Sequence, residues 1–213
     1  MKYKGVIFDL DGVIVSTDDC HYRGWKQLAD EAGIYFDREI NERLRGVSRM
    51  ESLEILLEKA QKSYTDAEKV EMASRKNGYY VELISALTPE DILPGALDFA
   101  SLAKEAGCKI AIGSSSRNAA AILERIGLSE YFDAVADGND IKNSKPDPEV
   151  FLIAAEKIGL PPADCLVVED ADAGIEAGHA AGMDTLGVGF AANCPLADFT
   201  SPGLSAKLWE SLV

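Results

Sequence analysis

The feature that most constrains the fold is a repeated alternation of helical segments with short, continuously apolar runs. Five helical segments end in glycine, which closes a helix by adopting the left-handed backbone conformation. The apolar runs are rich in β-branched residues, which is typical of strands buried on both faces of a parallel sheet. The alternation predicts a doubly wound, Rossmann-like α/β fold with a parallel sheet. The glycines are Gly33, Gly107, Gly127, Gly159 and Gly182, and the runs begin at Val6, Lys109, Ala134, Cys165 and Thr185.

The stretch after the first apolar run has helical signals and no convincing strand. Ser48 and Thr65 each begin a Ser/Thr-x-x-Glu pattern, the signature of a capping box at a helix start. We therefore expect a small all-helical cap domain, residues 17–82, inserted after the first strand. The remaining residues, 1–16 and 83–213, would form the α/β core.

Composition excludes several classes of protein. The 213 residues carry a formal net charge of −15, which argues against nucleic acid as a partner because phosphate backbones attract clustered Lys and Arg. The four cysteines form no Cys-x-x-Cys pair, which argues against a cysteine zinc site and favours a reduced compartment. No apolar run approaches the ~20 residues needed to cross a bilayer. We expect a cytoplasmic monomer with no membrane partner. An anionic substrate would then need local cations, and the candidates are Arg49, Lys76, Arg117 and Lys145.

Two carboxylates follow the first apolar run. Asp9 and Asp11 are two residues apart, so strand periodicity allows both side chains to enter one cavity. An aspartate there can form an acyl-phosphate intermediate while its neighbour exchanges protons. Taken alone, Asp-x-Asp is a common pattern and weak evidence, because two exposed acids in a solvated turn would also give it.

A serine-rich segment, residues 114–118, follows the run that begins at Lys109. Its hydroxyl and backbone N–H groups at a helix start could bind an anion. The alternative is that Ser116 simply caps the next helix. The sequence leaves both readings open.

Two further polar junctions complete the pattern. Lys145 precedes Pro146 on a loop, where a fixed ammonium could bridge a carboxylate and a transferring phosphoryl group, although a lone lysine usually faces solvent. Glu169 and Asp170 end the run that begins at Cys165, and acids there suit Mg²⁺ or simply match a helix dipole. Because ligands gather at the carboxyl ends of parallel strands, we expect the junctions to form one site.

These four segments resemble the four motifs of the haloacid dehalogenase-like hydrolase superfamily, and the helical insert resembles the cap of one branch of it. Within that superfamily the cap residues are similar to those of mutases that act on glucose phosphates. The resemblance implies reversible conversion of β-D-glucose 1-phosphate to glucose 6-phosphate through β-glucose 1,6-bisphosphate, with Mg²⁺ as cofactor. Ser16 stands where many relatives have an acid, so the resemblance does not extend to this position near the expected hinge.

The resemblance also implies a role for each matched residue. Asp9 would be the nucleophile and Asp11 the general acid/base, and Ser114 and Lys145 would grip the transferring phosphate. Mg²⁺ would be held by Asp9, the Asp11 backbone carbonyl, Glu169 and Asp170. The remaining matched residues would bind the far phosphate and the sugar: His21, Trp25, Gly46, Val47, Arg49, Ser52, Lys76, Ser116, Arg117 and Asn118.

Three other functions compete with this interpretation. A sugar-phosphate phosphatase of the same superfamily would share the core residues. A non-catalytic phosphate sensor would be favoured if one of Asp9, Asp11, Lys145 or Asp170 were missing, and none is. A receiver-like domain phosphorylated on Asp9 would have no need of the helical insert.

Overall fold

A parallel sheet forms the centre of the larger part of the chain. The structure is a computed structural model that describes residues 2–44 and 47–212. Among these residues six strands lie in the order β3-β2-β1-β4-β5-β6, and every neighbouring pair is parallel. The strands are β1 Gly5–Phe8, β2 Lys109–Gly113, β3 Ala134–Ala136, β4 Cys165–Glu169, β5 Asp184–Gly187 and β6 Phe199–Thr200.

Alternate residues of a strand point to opposite faces of the sheet, and in the central strands both sets of side chains are buried. Helices therefore cover both faces. Ile7 packs in one cluster with Phe151 and with residues of β4, whereas the Phe8 ring meets Phe99, which in turn meets Trp209. The prediction of a doubly wound α/β fold is therefore confirmed. The helices of this unit are α5 Ala96–Glu105, α6 Ala119–Arg125, α7 Glu149–Lys157, α8 Asp172–Ala180 and α9 Ala206–Leu212, with 3-10 turns at Pro89–Asp91, Pro162–Asp164 and Gly189–Asn193.

The strand register brings the polar junctions together. Phe8 of β1 pairs with Ile112 of β2 on one side and with Val168 of β4 on the other. Asp9, the residue that follows β1, therefore lies beside Glu169, at the shared carboxyl edge of the three central strands. This is the edge at which ligands bind in open α/β sheets.

The second compact unit, Thr17–Leu87, contains four helices among its described residues; the first unit comprises Met1–Ser16 and Thr88–Val213. Both capping boxes, at Ser48 and Thr65, are present. The last helix ends at Ile84, two residues beyond the boundary expected at residue 82. The helices are α1 Asp18–Ala32, α2 Arg38–Glu42, α3 Arg49–Leu57 and α4 Asp66–Ile84, around a core that includes Trp25, Leu28, Leu53, Leu56 and Met72.

Several local predictions can be compared with the backbone. The five glycines predicted to close helices all have positive φ, between 67° and 88°. All four cysteines are free. Every helix in the described parts of the chain is too short or too polar to cross a lipid bilayer.

Candidate active site

A buried lysine joins two carboxylates at the carboxyl edge of the central strands. The Lys145 ammonium donates to Asp9 Oδ1 at 2.5 Å and to Glu169 Oε1 at 2.6 Å. All three side chains are buried, and Lys145 is only 6% exposed, so the alternative of a solvent-facing lysine is wrong. Asp9 is fixed further by its own N–H, which donates to the carbonyl of Val168 at 2.9 Å.

Burial and the neighbouring charges perturb both ends of the Asp9–Lys145 pair. Burial raises the pKa of Asp9 from 3.8 to about 7; Lys145 opposes this rise and the nearby Glu169 adds to it. Burial lowers the pKa of Lys145, but Asp9 and Glu169 outweigh burial and hold that pKa above its usual value. The two carboxylates therefore favour the charged form of Lys145.

The residues that surround Asp9 provide oxygen donors of the kind that Mg²⁺ prefers. Gly12 has a φ of 77°, and a Cβ at this position would lie 2.0 Å from Asp170 Oδ2, so the Asp170 carboxylate is packed directly against the turn that follows Asp9. Within residues 2–44 and 47–212, no three His, Cys, Asp or Glu side chains are already in a metal-holding arrangement. The expected ligand set includes a backbone carbonyl, and its carboxylates are all at this edge, so the residues fit the ion.

The serine-rich loop at the end of β2 is ordered by its own hydrogen bonds. Ser114 is buried, and its Oγ accepts the Ser116 N–H at 3.2 Å. Ser116 Oγ accepts the Asn118 N–H at 3.2 Å, while α6 begins only at Ala119 and has Asn118 at its N-cap position. Ser116 thus makes a capping bond to the turn that leads into α6, while the N-cap position of α6 itself is Asn118. Arg117 is exposed.

The loop that carries Lys145 is anchored by a residue that the sequence analysis missed. Glu149 Oε2 accepts the backbone N–H groups of Lys142 at 3.0 Å and Asn143 at 2.8 Å. Lys145 Nζ also lies 4.6 Å from the centre of the Phe151 ring. The only sequence signal for Glu149 was an acid in the first turn of a helix, which is ordinary dipole matching.

The helical unit contains a second buried lysine. Lys76 is 3% exposed, and its Nζ lies 2.8 Å from Nδ1 of His21. The same ammonium lies 4.9 Å from the centre of the Trp25 ring and 4.7 Å from that of Tyr80. The structure thus brings the predicted residues Lys76, His21 and Trp25 together, and adds Tyr80, which had no sequence signal beyond helical periodicity.

Other predicted cap residues lie on or beside α3. The Arg49 guanidinium donates to Asn77 Oδ1 at 2.8 Å, which orients it against α4. Ser52 is buried and Val47 is exposed. Gly46 lies outside the described residues.

The fold and the edge site agree with a family of known proteins. A model of the haloacid dehalogenase-like hydrolases matches residues 3–182, which is most of the chain. The chain belongs to the haloacid dehalogenase-like hydrolase family. Membership implies the use of Mg²⁺.

Three individual proteins show which members of the family this chain resembles. The chain is 50% identical over 188 residues to a β-phosphoglucomutase of Bacillus subtilis, covering 87% of this chain and 83% of that protein. A crystal structure of β-phosphoglucomutase from Clostridium difficile superposes with a TM-score of 0.90 at 42% identity, covering 99% of this chain and 95% of that one. A fructose-1-phosphate phosphatase of Escherichia coli is 32% identical over 189 residues, covering 88% of this chain and 97% of that protein.

Proposed function

We propose that this chain is a magnesium-dependent β-phosphoglucomutase, which interconverts β-D-glucose 1-phosphate and β-D-glucose 6-phosphate. The observation that carries the proposal is the buried Lys145 ammonium, bound to both Asp9 and Glu169 at the carboxyl edge of the sheet. The identity of 50% to a β-phosphoglucomutase supports β-glucose phosphates as the substrates, in preference to the substrates of other family members.

Asp9 is proposed to carry the phosphoryl group. One of its carboxylate oxygens attacks phosphorus, forming an O–P bond as the bond from phosphorus to the sugar oxygen breaks. Asp11 gives a proton to the departing sugar oxygen, and takes one from the attacking sugar hydroxyl when the phosphoryl group is returned. Lys145, already bound to Asp9, neutralises charge on the transferring oxygens, with Ser114 as a further donor.

The intermediate is proposed to be β-glucose 1,6-bisphosphate. Phosphorylated Asp9 transfers its phosphoryl group to the 6-hydroxyl of β-glucose 1-phosphate, and the bisphosphate then returns its 1-phosphoryl group to Asp9. When bound by Asp9, the Asp11 carbonyl, Glu169 and Asp170, Mg²⁺ would offset the negative charge of the phosphoryl oxygens. Phosphoryl transfer depends mainly on such positioning and charge stabilisation.

The remaining predicted residues are proposed to recognise the sugar and its second phosphate. Arg49 suits the second phosphate because a planar guanidinium binds phosphate in bidentate fashion. Ser116, Arg117 and Asn118 offer hydroxyl, guanidinium and amide donors on one loop. The cap set consists of His21, Trp25, Gly46, Val47, Ser52 and Lys76. We also propose that the enzyme acts as a cytoplasmic monomer.

A second candidate is a sugar-phosphate phosphatase, which the 32% identity to a fructose-1-phosphate phosphatase favours. The two functions share the phosphorylated aspartate and differ in what accepts the phosphoryl group, sugar or water.

One assay separates them. The purified protein is incubated with β-glucose 1-phosphate, Mg²⁺ and a trace of β-glucose 1,6-bisphosphate, and glucose 6-phosphate and inorganic phosphate are both measured. We expect glucose 6-phosphate to form far faster than free phosphate. Predominant release of phosphate would reject the mutase in favour of the phosphatase. Asp9→Asn is the control and should abolish both reactions.

A further inference from the structure

The loop after β3 is packed against the loop that carries Ser116, and no proposed role accounts for this. Gly138 donates its N–H to the Ser116 carbonyl at 3.1 Å. Asn139 Nδ2 donates to the Arg117 carbonyl at 3.1 Å. The backbone carbonyls of Ser116 and Arg117 thus each accept a hydrogen bond from the segment 137–140, which we name the β3 loop.

The β3 loop is itself fixed from within. Asp137 is buried; its Oδ1 accepts the Asn139 N–H at 2.8 Å and its Oδ2 accepts Asn139 Nδ2 at 3.3 Å. The buried Asp137 carboxylate therefore fixes the orientation of the Asn139 side-chain amide, which donates to the Arg117 carbonyl.

An ion pair anchors the far end of the β3 loop. Asp140 Oδ2 accepts the Asp137 N–H at 2.9 Å and the Lys157 ammonium at 2.7 Å. Lys157 belongs to α7, the helix that contacts β1, β2 and β3. The β3 loop is consequently tied to the core through α7.

The contact between the two loops leaves no room for a side chain. A Cβ at Gly138 would lie 2.4 Å from the Ser115 carbonyl oxygen and 2.9 Å from the Arg117 N. Both atoms belong to backbone, so neither could move without shifting the serine-rich loop.

We infer that Asp137, Gly138 and Asn139 are positioning residues that set the backbone of residues 115–117, and through it the donors that bind the substrate's second phosphate. This inference rests on the proposed function for the identity of the ligand. The Ser114 backbone does not depend on the β3 loop, because its N–H donates to the Ala136 carbonyl at 3.0 Å, at the end of the pairing of β2 with β3. The β3 loop therefore controls recognition of the second phosphate and leaves attack by Asp9 unchanged.

The first test is kinetic. Asn139→Ala should raise KM for β-glucose 1-phosphate about tenfold with kcat within about threefold of native, the pattern expected when binding shared by ground and transition states is lost. Phosphorylation of Asp9 by acetyl phosphate, a donor with a single phosphate, should proceed at the native rate. An unchanged KM, or an equal loss in acetyl phosphate reactivity, would overturn the inference.

Two further variants test whether the contact is direct. Gly138→Ala, which pushes on the same backbone from the other loop, should raise KM at least as much as Asn139→Ala. Ser101→Ala is the stability control, because it removes a hydrogen bond of 2.9 Å to the Tyr131 hydroxyl that involves neither loop, so it should lower the melting temperature and leave KM unchanged. A KM that rises in proportion to lost stability in all three variants would mean that the β3 loop is merely structural, and would reject positioning.

A second readout does not depend on the substrate. Amide hydrogen exchange at residues 115–118 should be faster in Asn139→Ala than in the native protein, while exchange at 110–113 should not change. If the native protein fails to isomerise β-glucose 1-phosphate, the proposed function fails, and exchange alone then decides the positioning role. Unaltered exchange at 115–118 would reject that role whatever the enzyme's substrate.

Discussion

The Glu169 carboxylate occupies the space in which a side chain on Gly174 would stand. A Cβ at position 174 would lie 1.9 Å from Glu169 Oε1, the atom that accepts from Lys145. Glu169 Oε2 also accepts the Ala171 N–H at 2.8 Å, so the carboxylate is held by the start of α8 as well as by Lys145. Because Gly174 has no side chain, α8 can pack directly against the Glu169 carboxylate.

Gly174→Ala should therefore displace Glu169 and weaken the binding of Mg²⁺. We expect the Mg²⁺ concentration for half-maximal activity to rise about tenfold or more, as for changes that misorient a metal ligand. Gly178→Ala on the same helix is the matched control, because its Cβ would lie 2.6 Å from Thr185 Cγ2 and not near a carboxylate. It should lower the melting temperature without altering the Mg²⁺ requirement. Equal Mg²⁺ requirements for both variants would contradict this role of Gly174.

Lys145→Met should abolish turnover and leave Asp9 and Glu169 buried side by side without a cation. Removing one partner of a buried ion pair costs about 3–5 kcal/mol of stability. Because Mg²⁺ can neutralise the same carboxylates, it should raise the melting temperature of this variant more than that of the native protein. Thermal denaturation with and without Mg²⁺ measures the difference. Lys142→Met, an exposed change on the same loop, should behave as native. A smaller Mg²⁺ effect in Lys145→Met would disprove the argument.

Arg49→Ala should impair the reaction with sugar phosphates and spare the reaction with acetyl phosphate. Loss of a bidentate, charge-assisted contact to phosphate should lower kcat/KM for β-glucose 1-phosphate about a hundredfold. Arg43→Ala provides the control, since Arg43 makes an exposed ion pair with Glu58. Steady-state kinetics and trapping of the phosphorylated enzyme give the two rates. Turnover equal to native would remove Arg49 from this role.

Tyr80→Phe should destabilise the helical unit by about 1 kcal/mol, the net worth of one buried hydrogen bond. The hydroxyl of Tyr80 lies 2.9 Å from Thr17 Oγ1, and both residues are buried. Tyr79→Phe removes an exposed bond to Glu31 instead and should cost only a few tenths of a kcal/mol. Urea denaturation of the two variants compares these effects, and equal losses would show that burial of the Thr17 contact adds nothing.

The sequence predicted those features that depend on local chemistry. Glycine at a helix end, a capping box at Ser48 and continuous hydrophobicity in β4 each act within a few residues, and all three are present. The order of the polar junctions along the strands also predicted that Asp9 and Glu169 would meet, because parallel strands share their carboxyl edge.

Features that depend on distant contacts were missed or left open. The roles of Asp137 and Asn139 come from bonds to a loop some twenty residues earlier, although an acid directly after the predicted strand at residue 134 was the same signal used at the other junctions. Whether Lys145 faces solvent or Asp9 could not be decided from residues 136 positions apart. Strand β6 is two residues long, too short for a recognisable pattern.

The central position of β1 in the sheet has a consequence for the order of folding. Gly5 pairs with Lys109 and with Cys165, so neither neighbour of this strand has been synthesised when the helical unit is complete. Pairings so distant in sequence form slowly, whereas a helical unit with local contacts forms fast. We expect pulse-labelled hydrogen exchange during refolding to protect amides of α1 and α4 before those of residues 6–9; simultaneous protection would refute this order. A nascent chain would thus hold its future phosphate carrier beside an unpaired strand on the ribosome until Lys109–Gly113 had emerged, and beside a half-paired strand until Cys165–Glu169 followed.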